Sequence, residues 1–122
     1  MNSFSKEFID EIKAFNLVKK VIPIATYPLS EIFDKHLPES TPIDYMNIDV
    51  EGLDLEVINS NNWNKYRPKI ISVEIDNITF IDDLVKSDIY NALLSLQYNC
   101  VAKNVVTRNI ATVFFVDNKI LV

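Results

Sequence analysis

The chain has one glycine, Gly52, in 122 residues. A Gly-rich phosphate cradle needs several glycines, because the backbone must bend tightly and come close to its ligand. That motif is therefore absent from these residues. There is one cysteine, Cys100, and one histidine, His36. A lone cysteine makes no intrachain disulfide. One His and one Cys supply neither a zinc cluster nor a Cys–His dyad close in the chain. A reducing, cytoplasmic location is expected. No apolar run approaches the ~18 residues that cross a bilayer, so no membrane association is expected. The opening MNSFSKEFIDEIKAF mixes acids with apolar residues and does not suit an export signal. The glycosylation sequon Asn77-Ile78-Thr79 is then a chance match. An excess of basic residues is also missing: 12 Lys and Arg face 17 Asp and Glu, a net charge of −5. A chain without a basic patch is poorly suited to nucleic acid.

What is present is a foldable core. Apolar residues make up 48% of the sequence, including seven Phe, five Tyr and one Trp. That suffices for a single domain, 1–122. It divides into an N-terminal helix (1–17) and an α/β domain (18–122). Residues 4–15 carry Phe4, Phe8, Ile9, Ile12 and Phe15 at helical spacing. Residues 18–26 read as extended, and Pro23 favours a sheet edge or a bulge. A short helix follows over 29–37, with Ser30 as its N-cap and Pro38 as its stop. Strands are predicted at 43–50 and 70–75. Between them lie a helix starting near Leu53 and an Asn-rich loop ending in Pro68. Residues 79–99 read as helix broken near Ser87. Ile89, Tyr90, Leu93 and Leu94 face inward, and Asn99 is a candidate left-handed cap. Residues 101–106 and 110–116 have hairpin spacing, and the terminal ILV is expected to add an edge pairing.

The chain is organised around residues 43–52, IDYMNIDVEG. An apolar strand, expected in the sheet interior, delivers Asp49 and Glu51 to its end, and Gly52 turns the chain into a helix. In open α/β sheets ligands bind outside the carboxyl ends of the strands. Asp49 and Glu51 are therefore the candidate catalytic residues, able to orient a hydroxyl or accept its proton. Asp-x-Glu alone is too weak a pattern to assign a metal. Glu74 and Asp76 end the next strand on the same rim and are candidate substrate-binding residues. Asp54 and Glu56 read as the wet face of the helix, with Asp54 near its positive end. The five acids between residues 43 and 62 face no Lys or Arg there, and they hold the entire acidic excess. His36 suits the helix C-terminus. Trp63, Tyr66 and Arg67 read as a loop anchor, with a stacking platform as the other reading. Phe114 and Phe115 read as core.

IDYMNIDVEGLDLEVINSNNW followed by YRPKIISVEI resembles the C-terminal half of the FkbM-type methyltransferases. The similarity runs over about residues 26–116, from a Thr-x-x-Leu-Ser helix start at Thr26 to a closing aromatic strand. The resemblance implies an α/β fold: a truncated Rossmann-like methyltransferase sheet of parallel strands with a C-terminal antiparallel hairpin. It implies S-adenosylmethionine as cofactor and O-methyl transfer to a hydroxyl of a small molecule or sugar. By the same resemblance Asp49 and Glu51 end the fourth strand of the family sheet, facing methyl group and substrate, and Glu74 ends the fifth. The family's N-terminal strands and Gly-rich cofactor turn have no counterpart here, so the cofactor-binding residues are unassigned. The other reading is a non-catalytic binding or oligomerisation module derived from a methyltransferase. In either case a half-sheet leaves a strand edge open, which predicts a homo-oligomer or a partner chain.

Overall fold

A computed structural model describes residues 18–120 together with Asp10 and Asn16. The helix expected at 4–15 and the last two residues of the terminal ILV lie outside the described residues, apart from Asp10.

The chain folds as mixed α/β. In order, the elements are α1 (Leu29–His36), β1 (Tyr45–Ile48), α2 (Asp54–Asn59), β2 (Ile70–Asp76), α3 (Ile81–Leu84), α4 (Asp88–Ser95), β3 (Tyr98–Val105) and β4 (Ile110–Asp117). A 3₁₀ turn over Asn118–Ile120 follows. The four strands form one sheet in the order β1-β2-β4-β3. β1 and β2 are parallel. β4 runs antiparallel to both β2 and β3. β1 and β2 are joined by a crossover through α2, and β2 and β3, both antiparallel to β4 and so parallel to each other, by a second one through α3 and α4.

The core lies on one face of this sheet. Ile71, Val73 and Ile75 of β2 and Ala111, Val113 and Phe115 of β4 alternate toward Ile58, Leu84 and Leu93 of the helices. Period-two alternation explains why Phe115 is fully buried and Phe114 is not. The expectation of a core pair therefore holds for Phe115 alone. Leu93 of α4 is buried with Ile89 and Tyr90 packed beside the core, whereas Leu94 points away and is exposed. At about 25 cal/mol per Å², each such buried aliphatic side chain contributes on the order of 2 kcal/mol.

Several local expectations are corrected. Among the described residues β1 is not interior; it pairs with β2 alone and forms an edge of the sheet. Residues 18–28 lie in neither helix nor strand. Ser30 does not cap α1. Its N-cap position is Pro28, whose side chain accepts nothing. The cap comes instead from the end of α2: Ser60 Oγ accepts the Leu29 N–H at 3.0 Å and the Ser60 carbonyl accepts the Ser30 N–H. A helix start needs its orphan N–H groups satisfied by some acceptor, and a distant one serves equally well. α1 stops at His36 because Leu37, ahead of Pro38, is forced to an extended ψ of 122°. The left-handed position after α4 falls to Gln97, φ 65°, rather than Asn99, which lies in β3. Ser87 breaks the 79–99 helix as expected and caps α4.

The loop after α2 is anchored rather than exposed. Trp63 donates its indole N–H to the Ile58 carbonyl at 2.8 Å and packs edge-on against Tyr98. Tyr66 is buried with its hydroxyl on Asp34. Arg67 makes two bonds to Asp117 and one to the Leu96 carbonyl, over the Tyr98 ring. This pins the loop to the far end of the sheet and settles against a stacking platform.

Candidate acceptor rim at the carboxyl ends of β1 and β2

Ile48 and Val73 are register partners in the two parallel strands. The next residues along, Asp49 and Glu74, therefore lie side by side where β1 ends, with Glu74 still in the ladder opposite Thr112 of β4. Asp76 ends β2 two residues later. Four predicted site residues, Asp49, Glu51, Glu74 and Asp76, are thus brought to one end of one strand pair. Asp49 and Asp76 are exposed, and Glu51 and Glu74 are half-buried.

The loop beyond β1 reverses through two consecutive left-handed residues, Glu51 at φ 52° and Gly52 at φ 99°. Gly52 sits there because the conformation is free of steric cost only without a Cβ. Glu51 adopts it against its preference. Asp54 holds this shape. Its carboxylate accepts the Val50 N–H at 3.2 Å and the Gly52 N–H at 3.3 Å. Asp54 is buried, not on the wet face of α2 as its spacing suggested. Two backbone donors turned inward by the loop need an acceptor, and the first residue of α2 is in reach. The available sequence signal was an acid two residues after a glycine at a helix start. Glu56 does remain exposed.

Electrostatics at the rim follow from this packing. Burial pushes the Glu74 carboxyl up, and Asp49, Asp76, Glu51 and Asp54 add to the rise in that order. Burial also raises Asp54, opposed by the N–H bonds from Val50 and Gly52. A carboxyl raised by burial and neighbouring acids is a stronger proton acceptor than a free one. Beside the rim lies an open depression of about 270 Å³ lined by Asp76, Asn77, Ile78, Asp83, Lys86 and Ser87. Among the described residues no three His, Cys, Asp or Glu side chains are arranged to hold a metal ion. His36 is exposed in the last turn of α1, where its positive form suits the helix dipole.

A family model described as the methyltransferase FkbM domain matches residues 3–100. The chain belongs to the FkbM methyltransferase family. The match begins well before Thr26 and ends within β3. It spans the whole rim of this FkbM domain. No curated protein and no solved structure matches the chain. No described helix is long and apolar enough to cross a membrane.

Membership implies S-adenosylmethionine as methyl donor, so the described residues can be tested for a fit. The acids of the rim suit a positive sulfonium. The adenosine and ribose find no counterpart. Gly52 is committed to the loop at φ 99°, and no second glycine exists to let the backbone approach a nucleoside. The depression is open and smaller than the ~300–1,000 Å³ of ordinary ligand pockets. By themselves the described residues do not fit the whole cofactor.

Proposed function

We propose that this FkbM domain is the acceptor side of an S-adenosylmethionine-dependent methyltransferase, built on a partial Rossmann-like sheet, and that residues 18–122 are one domain. In this reading it serves O-methyl transfer to a hydroxyl of a small molecule or sugar. The observation that carries the reading is the gathering of Asp49, Glu51, Glu74 and Asp76 at the carboxyl ends of the parallel pair in a member of this family. Asp49 and Glu51 orient the acceptor hydroxyl and take its proton. Glu74 and Asp76 accept hydrogen bonds from its other hydroxyls, which carboxylates do in bidentate fashion. Half-buried Glu74, with its raised pKa, can hold the released proton. Holding the hydroxyl in line contributes most of the rate advantage open to these residues.

A second reading, a non-catalytic binding module, is favoured by the open edge of β1 and by the poor fit to the cofactor's nucleoside. Calorimetric titration with S-adenosylmethionine and S-adenosylhomocysteine separates the two. Saturable binding, with labelled methyl transferred to a hydroxylated acceptor and lost in Asp49→Asn and Glu51→Gln, supports the enzyme. Heat-silent titrations up to about 1 mM, with no transfer to a panel of sugars and polyols, give the module instead.

A further inference from the structure

The sheet has two edges, and they differ. The outer edge of β3 carries a bulge between Cys100 and Ala102 and a lysine, Lys103. Both are devices that keep other strands away. The outer edge of β1 carries neither. Its residues are Tyr45, Met46, Asn47 and Ile48. The Ile70 N–H bonds to the Asp44 carbonyl. Parallel alternation then turns the backbone N–H and C=O of Tyr45 and Asn47 outward.

The same chain carries a segment whose composition suits that edge. Residues 18–24, VKKVIPI, lie in neither helix nor strand and are rich in β-branched side chains. Val21, Ile22 and Ile24 are 84%, 59% and 64% exposed. Apolar side chains held this far into water are unusual for an isolated chain when they are contiguous. Lys19 and Lys20 sit at one end of the segment, and the acidic rim sits at one end of β1.

We propose that the β1 edge of one copy receives residues 19–24 of a second copy as an antiparallel strand, each copy giving one segment and taking one. Two constraints fix the register. Pro23 has no N–H, so it must face away from β1 and make its strand the last of the sheet. Ile22 and Ile24 then turn their N–H and C=O to β1, opposite Asn47 and Tyr45. In that register Lys20 falls opposite Asp49, with Lys19 beside it at the acidic rim. Val21 and Pro23 join Ile48 and Met46 on the core face. Pairing β1 with the β1 of another copy meets the opposite outcome. It carries Asp49 and Glu51 of each copy toward Asp44 of the other, acid near acid. A ladder this short is weak alone, and two-fold repetition doubles it while closing the assembly at a dimer.

Sedimentation equilibrium of the 122-residue chain, from about 1 to 500 μM, tests this without any cofactor. The expected result is a concentration-dependent dimer. Ile22→Pro removes a ladder N–H from a segment outside the core and raises the dissociation constant at least about tenfold. Lys19→Glu with Lys20→Glu does the same, and the wild-type dimer weakens in ~0.5 M salt. Lys103→Ala, on the guarded edge, changes nothing. A monomer throughout the range overturns the proposal; it includes the case in which the segment covers the edge of its own copy. A dimer indifferent to both segment variants overturns it as well.

Discussion

Asp49 and Glu74 are one residue beyond the register pair Ile48 and Val73 in adjacent parallel strands, so the two acids lie side by side where β1 ends. Burial raises Glu74, and Asp49 is the largest of the charges adding to that rise. The folded state therefore binds the Glu74 proton more tightly than the unfolded chain does. Stability drains away as pH rises from the unfolded value of 4.5 through the higher folded one. Glu74→Gln is expected to raise the urea midpoint at pH 7 and to lose that advantage below about pH 4. Asp49→Asn is expected to lower the Glu74 pKa toward 4.5 in a carboxyl-carbon NMR titration. An unmoved Glu74 titration in Asp49→Asn would show that the two carboxylates do not share a rim.

The sequence carried this rim because its signals are local. An apolar run, two acids and the chain's single glycine fix a strand end and a turn within ten residues, and an apolar run with two acids, without the glycine, recurs at Glu74 and Asp76. The hairpin of β3 and β4 was legible for the same reason. Contacts made across the fold were not. Nothing near Leu29 announces that Ser60, 31 residues on, will accept its N–H. Nothing near β1 reveals its position at the edge, since a strand reads alike with one neighbour or two. Asp54 was misread because helical periodicity assigns a face and says nothing about inward N–H groups in the preceding loop. Gln97 took the left-handed position because the turn into β3 falls there, two residues ahead of the residue with the better intrinsic preference for it.

Arg67 and Asp117 join the loop after α2 to the end of β4 through bonds of 2.9 and 2.7 Å. Both side chains are largely buried, at 17% and 6% exposure. Neither outcome of such a pair can be read from the Coulomb attraction alone, because desolvation opposes it. Removing one partner is costly because it strands the other charge: Arg67→Met is expected to cost about 3–5 kcal/mol in urea denaturation. The Arg67 bonds hold the Asp117 carboxyl below its ordinary 3.8. This contribution is complete above pH 3.8 and is lost as pH falls through the lower folded value. Wild-type protein should therefore lose stability more steeply than Arg67→Met in acid. Parallel profiles for the two would mean that the pair adds nothing to the folded state.

The loop between β1 and α2 holds two neighbouring residues at positive φ, and they tolerate it differently. Glu51 holds a left-handed φ of 52° that Gly would adopt at no steric cost. Glu51→Gly should thus stabilise the fold or leave it unchanged, within ~1 kcal/mol, while removing one of the proposed acceptor-orienting acids. Gly52→Ala meets the reverse condition. A Cβ at φ 99° clashes with the backbone, and the expected loss exceeds 1 kcal/mol. Asp54→Ala leaves the Val50 and Gly52 N–H groups without their acceptor and should cost about 1–3 kcal/mol. Asp54→Asn keeps one acceptor oxygen and should cost less. These four variants, ranked by chemical denaturation, test one arrangement: a buried Asp54 clamping a strained turn. Equal losses in Asp54→Ala and Asp54→Asn, or a destabilised Glu51→Gly, would be incompatible with it.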